Sequence, residues 1–200
     1  MGGHDAGSFA SARLVDNLGR VDSEAALPAR IEGARAALRR SNEELFALAA
    51  PGRTIGATVV AVAADSFGFC CLWAGDCRAY QIRGDTITQL TRDHSLVQQL
   101  VDAGELDARQ TASHPDAHIV TRAVGAAPDL GVSCLVGDLE AEDAFLLASD
   151  GLTRLIAADE LLAGMAQRDI DVSADHFIEV CLERGAPDNV SFVLVRAVRG

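Results

Sequence analysis

The stretch AFLLASDGL, at residues 144–152, decides the interpretation of the fold. Its first five residues are apolar and predict a buried strand, and Asp150 follows where that strand ends. Gly151 lets the backbone turn away without crowding whatever Asp150 binds. A second carboxylate, Asp188, precedes the last predicted strand, at 191–198. If the two strands are neighbours, we expect both carboxylates to meet at one edge of a sheet.

The other apolar patterns predict strands in hairpins and helices in pairs. Nearly continuous apolar runs at 58–64 and 67–74 predict two strands buried on both faces. Alternating segments at 78–83 and 86–90 flank Gly84-Asp85, a strong hairpin signal. We therefore expect these four strands to form an antiparallel meander. A further strand is predicted at 132–136, and helices at 8–18, 28–50, 95–103, 152–156, 160–167 and 174–184. Hairpins without βαβ units indicate an α+β fold, with helices outside antiparallel sheets.

Composition narrows the class of protein further. The 200 residues predict one domain, and an apolar fraction of 49% excludes intrinsic disorder. The net charge of −12 argues against nucleic acid and anionic membrane as partners. We see no apolar run long enough for a membrane span and no secretory signal. The five cysteines are odd in number and lack a CxxC pair, which argues against a disulfide framework or a zinc site. These features predict a cytoplasmic protein.

Asp150 and Asp188 each allow two interpretations. Carboxylates at a sheet edge suit hard cations such as Mg²⁺ or Mn²⁺, and two such ions support hydrolytic chemistry. Equally, an Asp between strand and helix is commonly an N-cap, and Asp-Asn before a strand is commonly a turn. The sequence contains no GxxxxGK[ST], GxSxG or HExxH motif, so nucleotide-binding P-loop, serine hydrolase and zinc protease sites are not indicated.

Six short motifs follow one another along almost the whole chain. They are MGGH at 1–4 with Gly7, GDCRAY at 75–80, TRDHS at 91–95, IVTRAVG at 119–125, LASDGL at 147–152 and DNVS at 188–191. In this order they resemble the metal-dependent protein phosphatases (PPM, the type-2C serine/threonine phosphatases) in their bacterial form.

The resemblance implies a specific architecture and reaction. It implies an α-β-β-α sandwich, in which helix pairs flank two antiparallel sheets. It implies hydrolysis of phosphoserine and phosphothreonine esters on proteins by metal-activated water, without a protein nucleophile. Asp150 and Asp188 would hold two core Mn²⁺ or Mg²⁺ ions, and Asp93 would help to hold a third, weaker one. The irregular segment 104–118 would be the flap beside the active site.

Other residues in the matching motifs have less definite roles. His4 would either donate a proton to the leaving alkoxide or hydrogen-bond an adjacent carboxylate. Asp76 and His94 are expected to be structural rather than ligands. Cys77 replaces the serine usual in the family, a nearly isosteric change with little expected effect. Arg122 would face either phosphate or a buried ion-pair partner, and it is left unassigned.

The start of the chain departs from the family pattern. The family motif reads Asp-Gly-Met-Gly-Gly-His, whereas this chain opens at Met1. The resemblance implies that an Asp bridging both metals, strands of the sheets and a phosphate-gripping Arg precede this point. We therefore expect residues 1–200 to form a single PPM-type domain that is N-terminally incomplete.

Three interpretations of this start remain open. The chain is a fragment or has a misassigned start, or it is a natural phosphatase-like binding or regulatory module without turnover, or it is active with an altered metal site. The expected partners are a phosphorylated protein substrate and a Ser/Thr kinase or the targets of that kinase. A relative that acts on anti-sigma-type switch proteins would carry the same motifs.

Overall fold

The computed structural model describes residues 4–166 and 169–198, with side chains from residue 6 onward. The helices are α1 (His4–Leu18), α2 (Leu27–Leu48), α3 (Leu96–Asp102), α4 (Asp150–Thr153), α5 (Ala158–Gly164) and α6 (Ile170–Glu183), with a 3₁₀ helix at Ala108–Ser113. The strands are β1 (Val59–Ala64), β2 (Phe69–Ala74), β3 (Arg78–Arg83), β4 (Thr86–Gln89), β5 (Ser133–Gly137), β6 (Ala144–Ala148) and β7 (Phe192–Arg196).

The strands form two antiparallel sheets with helices outside them, which confirms the predicted fold class. The first sheet has the order β1-β2-β5, and the second has the order β4-β3-β6-β7. The predicted meander is wrong, because β2 and β3 lie in different sheets. Alternation and turn residues predict that neighbouring strands pair, but they do not show that residues 75–77 carry the chain from one sheet to the other.

A layer of apolar side chains fills the space between the sheets. Phe69 of the first sheet meets Phe145 of the second edge-to-face, with ring centroids 4.9 Å apart. The buried side chains of this layer are Phe69, Cys71, Trp73, Ala79, Leu90 and Phe145. β2 is buried at all six positions because this layer covers one face and α2 covers the other, as its continuous apolar sequence predicts.

Each outer face of the sandwich is covered by helices. α1 and α2 bury Leu14, Leu38 and Leu45 against the first sheet, in one cluster with Val59 and Ala74. The helices α4–α6 cover the second sheet, where the buried residues are Tyr80, Ile82, Ala144, Leu146, Ala148, Leu152, Ile156, Leu161, Met165, Phe177 and Cys181. The amphipathic pattern of these helices therefore predicts their packing correctly.

Pairing of β6 with β7 positions the segments that follow and precede these strands. Ala148 lies opposite Phe192, and the amide of Ser149 donates to the carbonyl of Ser191 (2.9 Å). The two strands are thus neighbours, which is the condition for the two carboxylates to meet at one edge of the sheet. The following helix, α4, begins at Asp150, two residues before the predicted start at 152.

Within residues 4–166 and 169–198, every helix is too short or too polar to cross a lipid bilayer.

Gly125 and Gly52 provide a matched test of the packing. Both have positive φ, 86° and 76°. A Cβ on Gly125 would overlap the Ile55 carbonyl oxygen and the Leu45 Cβ, whereas a Cβ on Gly52 meets nothing within 4 Å. We expect Gly125→Ala to lower the free energy of unfolding by about 3 kcal/mol and Gly52→Ala by about 1 kcal/mol. Urea unfolding measures both values, and equal losses would contradict the packing described for this segment.

Candidate active site

One cavity collects three of the chain's carboxylates at the end of the sandwich. It has a volume of about 330 Å³. Asp76 follows β2, Asp93 follows β4, and Asp150 follows β6, so three separate strand ends supply the acidic side chains. The other lining residues are Arg78, Ser95, Val97, Gln98, Thr111, Ala112, Ala117, Thr153 and Arg154.

Asp150 lies in the first turn of α4 rather than at its N-cap, which is Ser149. Its carboxylate is 3.0 Å from the guanidinium of Arg154, one helical turn later. Gly151 is required here because a Cβ would overlap the backbone carbonyl of Asn189. The structure therefore explains Gly151 by the close approach of the Asn189 backbone, and not by the expected turn away from a ligand.

Asp188 occupies an exposed turn beside this segment. Its Oδ1 accepts a hydrogen bond from the amide of the next residue, Asn189 (2.7 Å), which is one residue short of the bond that defines an Asx turn. The contact between Gly151 and Asn189 brings the Asp188 segment next to α4. However, the residues that line the cavity in the described structure do not include Asp188. The edge of the sheet thus brings the two segments together without placing both carboxylates in the cavity.

Asp93 is held by a two-pronged ion pair. Nε of Arg78 donates to Oδ1 (3.0 Å) and its terminal nitrogen donates to Oδ2 (2.7 Å). The Asp93 side chain is only 11% exposed, so this pair is shielded from solvent. Burial opposes the charged guanidinium, but the hydrogen bonds and charge of Asp93, together with Tyr80, outweigh it, and the pKa of Arg78 lies above its usual value. Arg78 therefore fixes the direction in which Asp93 points.

Asp76 is the member of the cavity whose position the sequence predicts least well. Burial raises the pKa of its carboxyl above the ordinary value, and the neighbouring charge of Asp150 raises it further. Asp93 contributes in the same direction. The GDCR motif marks this residue, but its sequence does not show that the turn leads into an acidic cavity. Asp76 is therefore a candidate ligand as well as a residue of the turn.

His94 joins the turn at Gly75 to the start of β5. Its Nδ1 accepts a hydrogen bond from the amide of Gly75 (3.1 Å), so Nε2 carries the proton and donates to Oγ of Ser133 (3.0 Å). Burial lowers the pKa of His94, with a further contribution from Arg122, which agrees with a neutral ring. Trp73 stacks on the imidazole at 6.0 Å. The contacts agree with the structural role expected for His94.

The structure places only some of the remaining predicted residues at the cavity. Thr111 and Ala117 bring the segment 104–118 against the cavity, where the flap is expected. Cys77 points instead to Thr58, with its Sγ 3.1 Å from the threonine oxygen. His4 begins α1, but its side chain lies outside what the structure describes.

Known proteins are similar to this chain in both sequence and fold. A Streptococcus pyogenes protein named as a putative protein phosphatase 2C-type is 34% identical over 205 residues, covering 98% of this chain and 82% of the relative. No protein-family model matches the chain. The chain belongs to the bacterial PP2C-type serine/threonine phosphatases.

Solved structures agree with this assignment. PppA, described as a key regulatory component of T6SS in Pseudomonas aeruginosa, superposes with a TM-score of 0.89 at 37% identity, over 98% of this chain and 83% of PppA. The catalytic domain of the phosphatase PstP, in complex with two manganese ions, superposes with a TM-score of 0.86 at 30% identity, over 100% of this chain and 85% of PstP. Neither comparison favours the non-catalytic alternative.

The oxygen atoms that this PP2C-type chain presents in the cavity are ligands of the type that a hard divalent cation prefers. Asp76, Asp93 and Asp150 present carboxylate oxygens, which are the ligands that Mg²⁺ and Mn²⁺ prefer. Burial is the main cause of the raised pKa of Asp76, and the negative charges of Asp150 and Asp93 add to it, so a cation here would stabilise the ionised carboxylate. Among the described side chains, no three His, Cys, Asp or Glu groups are gathered closely enough to hold an ion by themselves. They therefore supply part of a ligand shell.

Asp76→Asn tests the charge balance of the cavity through stability. The folded protein raises the pKa of Asp76, so ionisation of this residue costs more in the folded chain than in the unfolded chain. Wild type should lose stability relative to Asp76→Asn as pH rises from about 4 through the raised pKa, and the two should agree below about pH 3. Urea unfolding in EDTA across pH measures this difference. A constant offset between wild type and variant would contradict the assignment.

His94→Ala tests the connection between the Gly75 turn and β5. We expect a loss of about 2–3 kcal/mol, because the buried Gly75 amide loses its acceptor. Ser133→Ala should cost about 1 kcal/mol or less, because it removes only the bond at Nε2. Urea unfolding of both variants and of the double variant measures their coupling. Fully additive losses would show that these residues do not act through one bonded network.

Proposed function

We propose that this chain hydrolyses phosphoserine and phosphothreonine esters on proteins with the help of Mn²⁺ or Mg²⁺. The observation that carries the proposal is the convergence of Asp76, Asp93 and Asp150 on one cavity in a PP2C-type chain. Manganese in the structure of PstP supports the class of metal.

We propose three carboxylates as metal ligands in the roles that the motifs imply, and Asp76 as a fourth candidate because it lines the same cavity. Asp150 would hold the core ions from the start of α4, with Asp188 joining from the adjacent turn. Asp93, aimed by Arg78, would serve an additional ion. When bound, divalent cations of this kind withdraw charge from phosphoryl oxygens and make a water more acidic.

Arg154 is a candidate contact for the substrate phosphate. Its guanidinium lies at the cavity, is 49% exposed and already faces the carboxylate of Asp150. A guanidinium binds phosphate oxygens through charge-assisted hydrogen bonds. Arg78 is committed to Asp93, so we assign it to positioning of that carboxylate instead of to substrate.

His4 remains part of the proposal as the proton donor to the leaving alkoxide. The support is its place in the MGGH motif and the neutral range of imidazole titration. The contacts of its side chain are not described, so this role depends on the motif alone.

The cellular setting is proposed more broadly. We place the protein in the cytoplasm, acting as one PPM-type domain against a Ser/Thr kinase or the targets of that kinase. All five cysteines are free thiols in the structure, which favours a reducing compartment. Phosphoproteins are the substrates that the names of the relatives imply.

Asp150→Asn and Asp188→Asn test the function directly. With a phosphothreonine peptide as substrate, Mn²⁺ should support turnover and EDTA should remove it. Each variant should lose at least about 100-fold in kcat/KM, because an amide is a weaker ligand than a carboxylate. Asp85→Asn is the matched control, since it makes the same change in the exposed β3–β4 turn.

The folded state of every variant must be established by circular dichroism before the rates are compared. If Asp150→Asn turns over at the rate of Asp85→Asn, the metal assignment fails. If folded wild type shows no Mn²⁺-dependent release of phosphate, the catalytic proposal itself fails.

A further inference from the structure

Two cysteines from different parts of the chain meet on the outer face of the first sheet. Sγ of Cys70 and Sγ of Cys134 are 3.2 Å apart, although the residues are 64 positions apart in sequence. In the β2–β5 register Cys70 lies opposite Val136 and Leu72 lies opposite Cys134, so the two thiols form a diagonal pair. Both cysteines are reduced in the structure. The two sulfurs are therefore in contact, about 1 Å further apart than in a disulfide bond, without being linked.

A cation lies beside one of these sulfurs. The guanidinium of Arg35 on α2 lies beside Cys134, and its interaction with that sulfur raises the pKa of Arg35. Nε of Arg35 is buried and has no hydrogen-bond partner in the described structure. Its closest acidic neighbour, Glu32, is 3.7 Å away and largely exposed. We expect this positive charge to make the sulfur of Cys134 the faster of the two to react with an oxidant.

The two thiols differ in their access to solvent. Cys70 is 1% exposed, and burial together with the hydrogen bond to Cys134 raises its pKa to about 12. Cys134 is only partly buried, and the neighbouring Val136 is 66% exposed. A small oxidant therefore reaches Cys134 first, whereas Cys70 is buried behind Cys134 and in contact with it.

We propose that Cys70 and Cys134 form a peroxide-sensitive thiol pair that closes to a disulfide between β2 and β5. The Cys134 thiolate attacks one oxygen of hydrogen peroxide, so that an S–O bond forms, the O–O bond breaks and hydroxide leaves. The sulfur of Cys70 then attacks the resulting sulfenic acid, the S–S bond forms and the hydroxyl leaves.

The reaction converts two thiols and one hydrogen peroxide into one disulfide and two waters, which contain the two thiol protons. Two electrons pass from the sulfurs to the peroxide oxygens. The product ties β5 to β2, the strand that leads into the turn of Asp76. The proposal is independent of the phosphatase chemistry.

The other three cysteines are placed where they do not compete. Cys71 points into the layer between the sheets, and Cys181 belongs to α6 and is buried against the second sheet. Cys77 faces Thr58, and burial raises its pKa to about 11. The pairing is thus a property of one face of β2, since the adjacent Cys70 and Cys71 point in opposite directions.

The experiment treats the reduced full chain with hydrogen peroxide, blocks remaining thiols and maps the peptides by mass spectrometry. We expect two of the five thiols to disappear and one cross-linked peptide pair to form, recovered by reduction. Residues 54–78 hold Cys70, Cys71 and Cys77 in one tryptic peptide, so variants must identify the sulfur. Cys70→Ala should abolish the cross-link and leave a sulfenic acid on Cys134 that dimedone traps, whereas Cys71→Ala should cross-link as wild type does.

Arg35→Gln tests the role of the cation, with Arg39→Gln on an exposed position of the same helix as the control. Cross-linking should slow severalfold in Arg35→Gln and stay unchanged in Arg39→Gln. The proposal is overturned if peroxide leaves all five thiols free, if the cross-link survives Cys70→Ala, or if it joins separate chains. Equal rates in the two arginine variants would overturn the assignment of Arg35.

Discussion

The crossing from β2 to β3 is the constraint on which the rest of the structure depends. Three residues, 75–77, carry the chain from the first sheet to the second. Gly75 makes this possible, because its φ is +124° and a Cβ there would overlap the side chain of Thr58. The same short connection places Asp76 at the cavity and starts β3 with Arg78, which binds Asp93. The stacking of the two sheets and the shape of the acidic cavity therefore have one local cause.

The electrostatics of the cavity follow from this geometry. Asp76, Asp93 and Asp150 are brought together from three strand ends, in a chain whose net charge is already −12. Arg78 and Arg154 offset part of this charge by pairing with Asp93 and Asp150. Among the side chains that the structure describes, no cation lies at bonding distance from Asp76, and burial raises its pKa. Such a site favours a cation, and the arginines keep the carboxylates compatible with the fold when none is bound.

Much of the fold could be predicted from local patterns. The apolar runs predict β1, β2 and β6, Gly84-Asp85 predicts the hairpin, and Ser95 caps α3 as expected, accepting from the amide of Gln98. The change of sheet at 75–77 could not be predicted in this way, because strand patterns define which faces are apolar but not which sheet a strand joins. The sandwich was predicted instead from the order of the six motifs along the chain, through their resemblance to a known family.

The site could be predicted only in part for a related reason. Asp93 and Asp150 line the cavity as the motifs imply, but Asp188 lies in an exposed turn beside it. Asp76 lies in a motif, but the sequence predicts only a structural role for it, because its burial and its neighbouring charges depend on tertiary structure. The pairing of Cys70 with Cys134 has no local signal either, since it depends on the register of β2 with β5.

Crystallography with manganese tests the central claim most directly, that the acidic cavity is a divalent-metal centre. Crystals of the chain grown with Mn²⁺ would be measured at a wavelength where manganese scatters anomalously. We predict an anomalous peak inside the cavity, within about 2.5 Å of a carboxylate oxygen of Asp150. Manganese peaks found only outside the cavity, in a well-ordered structure with the cavity filled by water, would contradict the account.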